Sequence, residues 1–118
     1  MTLDANRVDH VRNFDFSNIP SGWSWLAERM VRYAALHADS RGVLNINRKT
    51  FFAESVGEKS TQYEANLINA INRKVDGVTF STLGRGSSAR LVIVFDDEKI
   101  SKSLEAKKEL EHVFVHRI

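Results

Sequence analysis

Apolar residues recur at three- and four-residue steps along residues 21–38, which predicts an amphipathic helix with one broad buried face. This face consists of Trp23, Leu26, Ala27, Met30, Val31, Ala34 and Ala38. Trp25 and Leu36 fall off the face, so we expect them to contact the segments near the chain termini. Residues 39–42, Asp-Ser-Arg-Gly, are typical of a helix end.

The segment before this helix, residues 1–20, has the least regular pattern in the chain. Pro20 disfavours a helical conformation at Ile19, because the proline ring clashes with the preceding residue. We therefore predict an N-terminal arm over residues 1–20 that packs on the rest of the protein through Phe14, Phe16 and Ile19.

Residues 43–75 predict a short strand followed by two helices. Val43 to Ile46 is β-prone, Asn47 is the expected N-cap of a helix over 48–56, and Gly57 suits the position just past its end. The second helix covers 61–75, with Thr61 and Glu64 as a capping box and Ser60 as a competing cap. Its predicted buried stripe is Leu67, Ile68, Ile71 and Val75, with Tyr63 at the edge.

From residue 78 the apolar period changes from the helical value to two, which predicts a β-hairpin over 78–95. The tip is the flexible stretch Gly84-Arg85-Gly86-Ser87-Ser88. Asp96 and Asp97 then cap a predicted C-terminal helix over 98–114. Its apolar side chains are Ile100, Leu104, Leu110, Val113 and Phe114.

This order of elements resembles a winged helix-turn-helix domain, in which a three-helix core carries a β-hairpin wing. The resemblance covers residues 21–95 and implies an α+β fold, with residues 1–20 as the arm and 96–118 as the C-terminal helix. Phe52, Ala53, Val56 and Gly57 match the first half of the helix-turn-helix pattern, which has a small residue where the helices cross and glycine in the turn. Leu67 and Ile71 come about one residue late, which implies a slightly longer turn.

The helix over 61–75 carries the most informative polar side chains. Gln62, Asn66, Asn69 and Arg73 follow one another at spacings of four, three and four residues, opposite the buried stripe, with Asn72 nearby. Asparagine is a poor helix former, and its amide pairs with the major-groove edge of adenine, as arginine pairs with guanine. The pattern favours a helix that enters the major groove of DNA. The less favoured alternative is an ordinary solvent-exposed polar face.

The hairpin tip, residues 84–90, is the second candidate interface. Arg85, Ser87 and Arg90 are suited to backbone phosphates or a minor groove, although glycine and serine are also typical of an ordinary turn. Arg48 and Lys49 begin the first helix of the motif, where a phosphate contact is common. Residues 48–90 hold seven basic and four acidic side chains, a net charge of +3. Arg7 and Arg12 of the arm are candidates to add to it.

Composition excludes several classes of site and of protein. The 118 residues carry a net charge of only +2 and contain no cysteine, which excludes disulfides and thiolate sites and fits a cytoplasmic protein. No apolar run approaches the ~18 residues of a membrane span. Among the scattered histidines only His112 and His116 have helical spacing, without a metal motif around them. We expect no metal, no cofactor and no enzymatic activity.

These observations predict a protein that binds double-stranded DNA at specific sequences. We expect it to be a transcriptional regulator of prokaryotic or phage type. The alternative is a winged-helix protein-interaction module, a phage or plasmid factor that docks on host polymerase or replication machinery. A replication initiator or RNA-binding variant of the fold is a third hypothesis. We also expect a homodimer through Leu104, Leu110 and Phe114, unless this stripe packs against Trp23, Trp25 and the arm.

Overall fold

The computed structural model describes Phe16, Ile19 and residues 22–100. The helices are α1 (Ser24–His37), α2 (Arg48–Ser55) and α3 (Thr61–Lys74), and the strands are β1 (Val43–Asn47), β2 (Val78–Leu83) and β3 (Arg90–Phe95). A single 3-10 turn, Gly86–Ser88, lies in the hairpin tip, and residues 97–100 are again helical. The predicted α+β class and the predicted element order are confirmed over this range, with helix ends shifted by one to three residues.

The three strands form one antiparallel sheet in the order β1-β3-β2. Ile93 of the central strand lies opposite Leu44 of β1 and Phe80 of β2. Alternate side chains of β3, namely Leu91, Ile93 and Phe95, are buried, because successive residues of a strand point to opposite faces. The hairpin of β2 and β3 is therefore held by a sheet that also includes the strand before α2.

The core lies between this sheet and the helices. Its largest fully buried side chains are Phe51, Phe52, Met30, Leu67, Ile71, Leu91, Ile93, Ile100 and Val31. Phe51 contacts the rings of Phe52 and Phe80, with ring centroids 5.6 and 5.8 Å apart. Ile19 is buried and Phe16 packs against the same core, which confirms two of the three predicted contacts of the arm. Phe14 lies outside the described residues, as do Arg7, Arg12 and the C-terminal residues Leu104, Leu110 and Phe114.

The helix starts agree with the predicted caps at two places and differ at one. Asn47 caps α2, its side-chain oxygen accepting from the Thr50 amide at 3.1 Å, and Asp96 accepts in the same way from the Lys99 amide at 3.0 Å. The capping box from Thr61 to Glu64 is wrong. Ser60 is the N-cap of α3, and its hydroxyl accepts from the Tyr63 amide at 3.2 Å.

The predicted helix crossing at Ala53 is also wrong, because Ala53 is exposed. The small buried side chain of α2 is Ser55, whose hydroxyl donates to the Phe51 carbonyl at 2.7 Å. The Ser55 carbonyl accepts from Arg29 Nε at 3.1 Å, which joins the end of α2 to α1. The helix-turn-helix spacing therefore predicted the wrong small residue for this buried position.

Gly77 joins α3 to β2 and requires glycine for two reasons. Its φ of 85° is in the left-handed region. A Cβ atom at this position would also lie 2.7 Å from Cγ1 of the buried Ile100. The close contact places the start of the last helix against the turn that begins the hairpin.

Asn72 of α3 forms hydrogen bonds to the outer edge of β2 and so joins this strand to the helix. Its Nδ2 donates to the Phe80 carbonyl at 2.9 Å, and its Oδ1 accepts from the Phe80 amide at 2.8 Å. β2 is an edge strand, so these two backbone groups have no strand on that side to pair with. The side chain thus has a structural role in joining α3 to β2.

Replacing Asn72 with alanine should lower the free energy of unfolding by about 1–3 kcal/mol, because two backbone groups of Phe80 lose their partner. Asn69→Ala is the matched control, since Asn69 is exposed one turn earlier on the same helix. We expect the control to change stability by less than about 0.5 kcal/mol. Urea unfolding measures both; equal midpoints for the two variants would contradict this role of Asn72.

Tyr33 links α1 to α2 through its hydroxyl, which donates to the Glu54 carboxylate. Burial raises the pKa of the Tyr33 phenol to about 12, and the hydrogen bond and charge of Glu54 act in the same direction. All three effects favour the protonated phenol over the phenolate. The contact therefore stabilises the fold up to the ordinary tyrosine pKa of 10.0, and the stabilisation is lost as the pH rises towards about 12.

The near-ultraviolet difference titration between the parent and Tyr33→Phe should show a phenolate forming at about pH 12. Glu54→Gln should lower the pKa of Tyr33, because the substitution removes the negative charge beside the phenol. Tyr63 is the other tyrosine of the chain and is present in every variant, so the subtraction removes its signal. A Tyr33 midpoint at the ordinary value in the folded parent would refute this assignment.

Candidate nucleic-acid interface

The outer face of α3 consists of the four residues predicted for it. Gln62, Asn69 and Arg73 are exposed and Asn66 is partly exposed. The opposite face is buried through Leu67 and Ile71. Gln62 Nε2 donates to Asn66 Oδ1 at 3.0 Å, one helical turn away. The helix thus presents three amides and one guanidinium to the surface.

The hairpin tip is fastened to the start of α2. Asn47 Nδ2 donates to the Ser87 carbonyl at 3.0 Å, while the same side chain caps α2 through its oxygen. Within the tip, the Ser88 hydroxyl donates to the Arg85 carbonyl at 3.2 Å. Arg85 itself is exposed. The tip therefore has a defined position relative to α2, and Arg85 extends from it as a solvated cation.

Arg48 is largely buried and forms an ion pair with Glu64. Its Nε donates to Glu64 Oε1 at 3.1 Å, and the two side chains are only 15% and 11% exposed. Nη1 lies 3.4 Å from the Thr82 hydroxyl, and the guanidinium lies 6.0 Å from the ring centre of Phe52. This ion pair joins the first residue of α2 to α3. The ion pair gives Arg48 a structural role in joining the two helices, and its predicted phosphate contact stays a prediction.

Arg90 is exposed, but its guanidinium is hydrogen-bonded to Asn45 of β1. Its Nε donates to Asn45 Oδ1 at 2.8 Å, and its Nη2 donates to the Asn45 carbonyl at 3.1 Å. Both bonds run between the central strand and β1. Arg90 consequently supports the sheet beside the tip, and it is the predicted tip residue that lies apart from the cleft described next.

A cleft of about 430 Å³ separates the hairpin tip from the starts of α2 and α3. Its lining brings together four of the predicted residues, Arg48, Lys49, Arg85 and Ser87, with Thr61, Glu64, Gly84, Gly86 and Ala89. Three of these side chains are cationic and one is acidic. Thr61 lines the cleft, and Gln62, the next residue of α3, begins its polar face.

Two residues that shape this site were not assigned to it from the sequence. Asn47 was recognised as a cap, but its second bond to the tip depends on a residue forty positions away. The sequence predicts Glu64 in a capping box, although Glu64 falls on the buried stripe with Leu67, Ile68 and Ile71. A carboxylate at a buried position indicates a buried cationic partner, and this signal could have identified the pair with Arg48.

Residues 22–100 show neither a metal-ligand cluster nor a membrane-spanning helix. This part of the chain contains no group of three histidine, cysteine or carboxylate side chains that could hold a metal ion. None of the helices described above is long and apolar enough to cross a membrane.

The candidate interface is therefore a polar helix face, a cationic cleft and an exposed arginine at a hairpin tip. Its side chains can donate to phosphates and can both donate to and accept from base edges. Comparison with family models, with curated proteins and with solved structures finds no match for this chain.

Proposed function

We propose that this protein is a winged helix-turn-helix protein that binds double-stranded DNA at specific sequences. The observation that carries the proposal is the exposed face of α3, with Gln62, Asn66, Asn69 and Arg73 directly opposite its buried stripe. The order of the helices and strands along the chain, and the sheet order β1-β3-β2, support the winged-helix part of the proposal.

The dimensions of α3 suit a major groove. An α-helix with its side chains is about 10–12 Å wide, and the major groove is about 12 Å wide. The N-terminal half of such a helix lies nearest the bases, so Gln62 and Asn66 are assigned to the base edges. Asn69, on the same face just past the middle of α3, is assigned a base contact as well. Arg73 lies in the last turn of α3 and is assigned to a phosphate.

The cleft and the tip supply the contacts to the sugar-phosphate backbone. Lys49 and Arg85 are exposed on the two sides of the cleft, and Ser87 adds a hydroxyl. Arg48 contributes by position, since its pair with Glu64 sets the start of α2 against α3. Backbone contacts of this kind fix the register of the protein on the duplex, and base contacts then select the sequence.

Within this proposal the chain acts by binding and not by catalysis, as a transcriptional regulator of prokaryotic or phage type. Such regulators commonly occupy two half-sites as dimers. The predicted dimer residues Leu104, Leu110 and Phe114 lie outside the described part of the chain, so the homodimer stays a prediction.

The protein-interaction module is the second candidate, and one observation favours it. Trp25 and Leu36 are 55% and 51% exposed on α1, and Arg29 lies 5.9 Å from the ring centre of Trp25. Exposed tryptophan and arginine side chains are enriched at the energetic centres of protein interfaces. A chain that binds no duplex at any salt concentration would favour this candidate.

Titration of labelled duplexes at increasing salt tests the DNA proposal. Affinity should fall steeply with salt, because cationic side chains release counterions from the phosphates. Arg85→Ala should weaken binding to all duplexes alike and lower the slope of log K against log salt by about one unit. Arg41→Ala is the matched control, because Arg41 is exposed in the loop between α1 and β1, at the opposite end of the sheet. An unchanged slope in Arg85→Ala would exclude the phosphate contact.

Site selection followed by single-base substitution tests base readout by α3. Asn69→Ala should reduce discrimination at particular base pairs by about 1–3 kcal/mol and leave the remaining positions unchanged. Lys74→Ala, at the last residue of the same helix, should affect all sequences equally. If Asn69→Ala and the parent select the same sites with the same preferences, Asn69 does not contact a base.

A further inference from the structure

Gln62 and Asn66 differ from the other polar residues of α3, because they are bonded to each other. Gln62 Nε2 donates to Asn66 Oδ1 at 3.0 Å, whereas Asn69 is exposed and makes no side-chain hydrogen bond within the described residues. A free amide on a helix surface rotates among several rotamers and loses that freedom when it binds. The bond to Gln62 removes part of this freedom from Asn66 before any ligand arrives.

The remaining bonding capacity of Asn66 suits one base. An amide oxygen has two lone pairs, so Oδ1 can accept from Gln62 and from a ligand at the same time, and both N–H groups of Nδ2 stay available. Adenine presents an acceptor, N7, beside a donor, N6, at its major-groove edge. A fixed amide with one acceptor and one donor free is complementary to that edge.

We propose that Gln62 is a positioning residue that orients the Asn66 amide for an adenine in the major groove, so that the two side chains act as one unit. This inference rests on the proposed function and adds to it the base that is read and the residue that prepares the contact. Asn69, which has no such partner, acts independently of the pair.

The test uses two substitutions of Gln62 that distinguish the effect of its side-chain length from the effect of its N–H donor. Gln62→Met keeps the length and loses the donor, whereas Gln62→Lys keeps a donor within reach of Asn66 Oδ1. All three side chains have similar helix propensities, and Gln62 is exposed, so the fold should be retained. Thermal unfolding of each variant verifies this.

The measured quantity is the preference for adenine over the other bases at the position where Asn66→Ala loses discrimination, a loss of about 5- to 150-fold. Gln62→Met should lose most of that preference, and Gln62→Lys should retain it while binding all duplexes more tightly. In a double-substitution cycle, Gln62→Met and Asn66→Ala should be far from additive. Gln62→Met with Asn69→Ala, the control cycle, should be additive.

The outcomes separate this inference from the proposed function. A parent that shows no salt-dependent binding to duplexes overturns both. A parent that selects a sequence, with a Gln62→Met variant that keeps the full preference at every position, overturns only the inference. Additive effects of Gln62→Met and Asn66→Ala, or a preferred base other than adenine at their shared position, also overturn the inference alone.

Discussion

The rotation of α3 about its own axis is the constraint on which the candidate site depends. Leu67 and Ile71 are fully buried, and a helix cannot turn without exposing them to water. Removing a leucine or isoleucine side chain from a core costs on the order of 2–5 kcal/mol, so this orientation is strongly preferred. Because 3.6 residues make one turn, the same burial sets Gln62, Asn66, Asn69 and Arg73 on the outside.

Polar contacts between elements then position the hairpin relative to α3. Asn72 holds β2 against α3, Asn47 holds the tip against α2, and Arg48 with Glu64 holds α2 against α3. Each of these contacts joins two separate elements of the fold. Hydrogen bonds and ion pairs are directional, so they specify one arrangement where apolar packing tolerates several.

The pair of Arg48 and Glu64 illustrates how stability and site geometry are linked. Moving two charges out of water is costly, and the attraction between them offsets that cost only with good geometry. Losing one partner would leave the other charge part-buried beside the cleft without its ion pair. The pair thus defines how the starts of α2 and α3 meet at the cleft, and it leaves Lys49 and Arg85 as the exposed cations there.

Periodicity along the chain determined the helices, the hairpin, the buried stripe of α3 and its polar face, because these follow from local geometry and from the burial of apolar side chains. The sequence also indicated Asn47 as a cap and Gly57 as a helix end, since both depend on neighbouring residues. Only the tertiary structure decided that Arg48 pairs with Glu64, that Arg90 pairs with Asn45 and that Asn72 binds β2. It also decided that Ser55, not Ala53, is the small buried residue of α2. Partners of a long polar side chain come from distant parts of the chain, and their identity depends on how the packed elements meet in space.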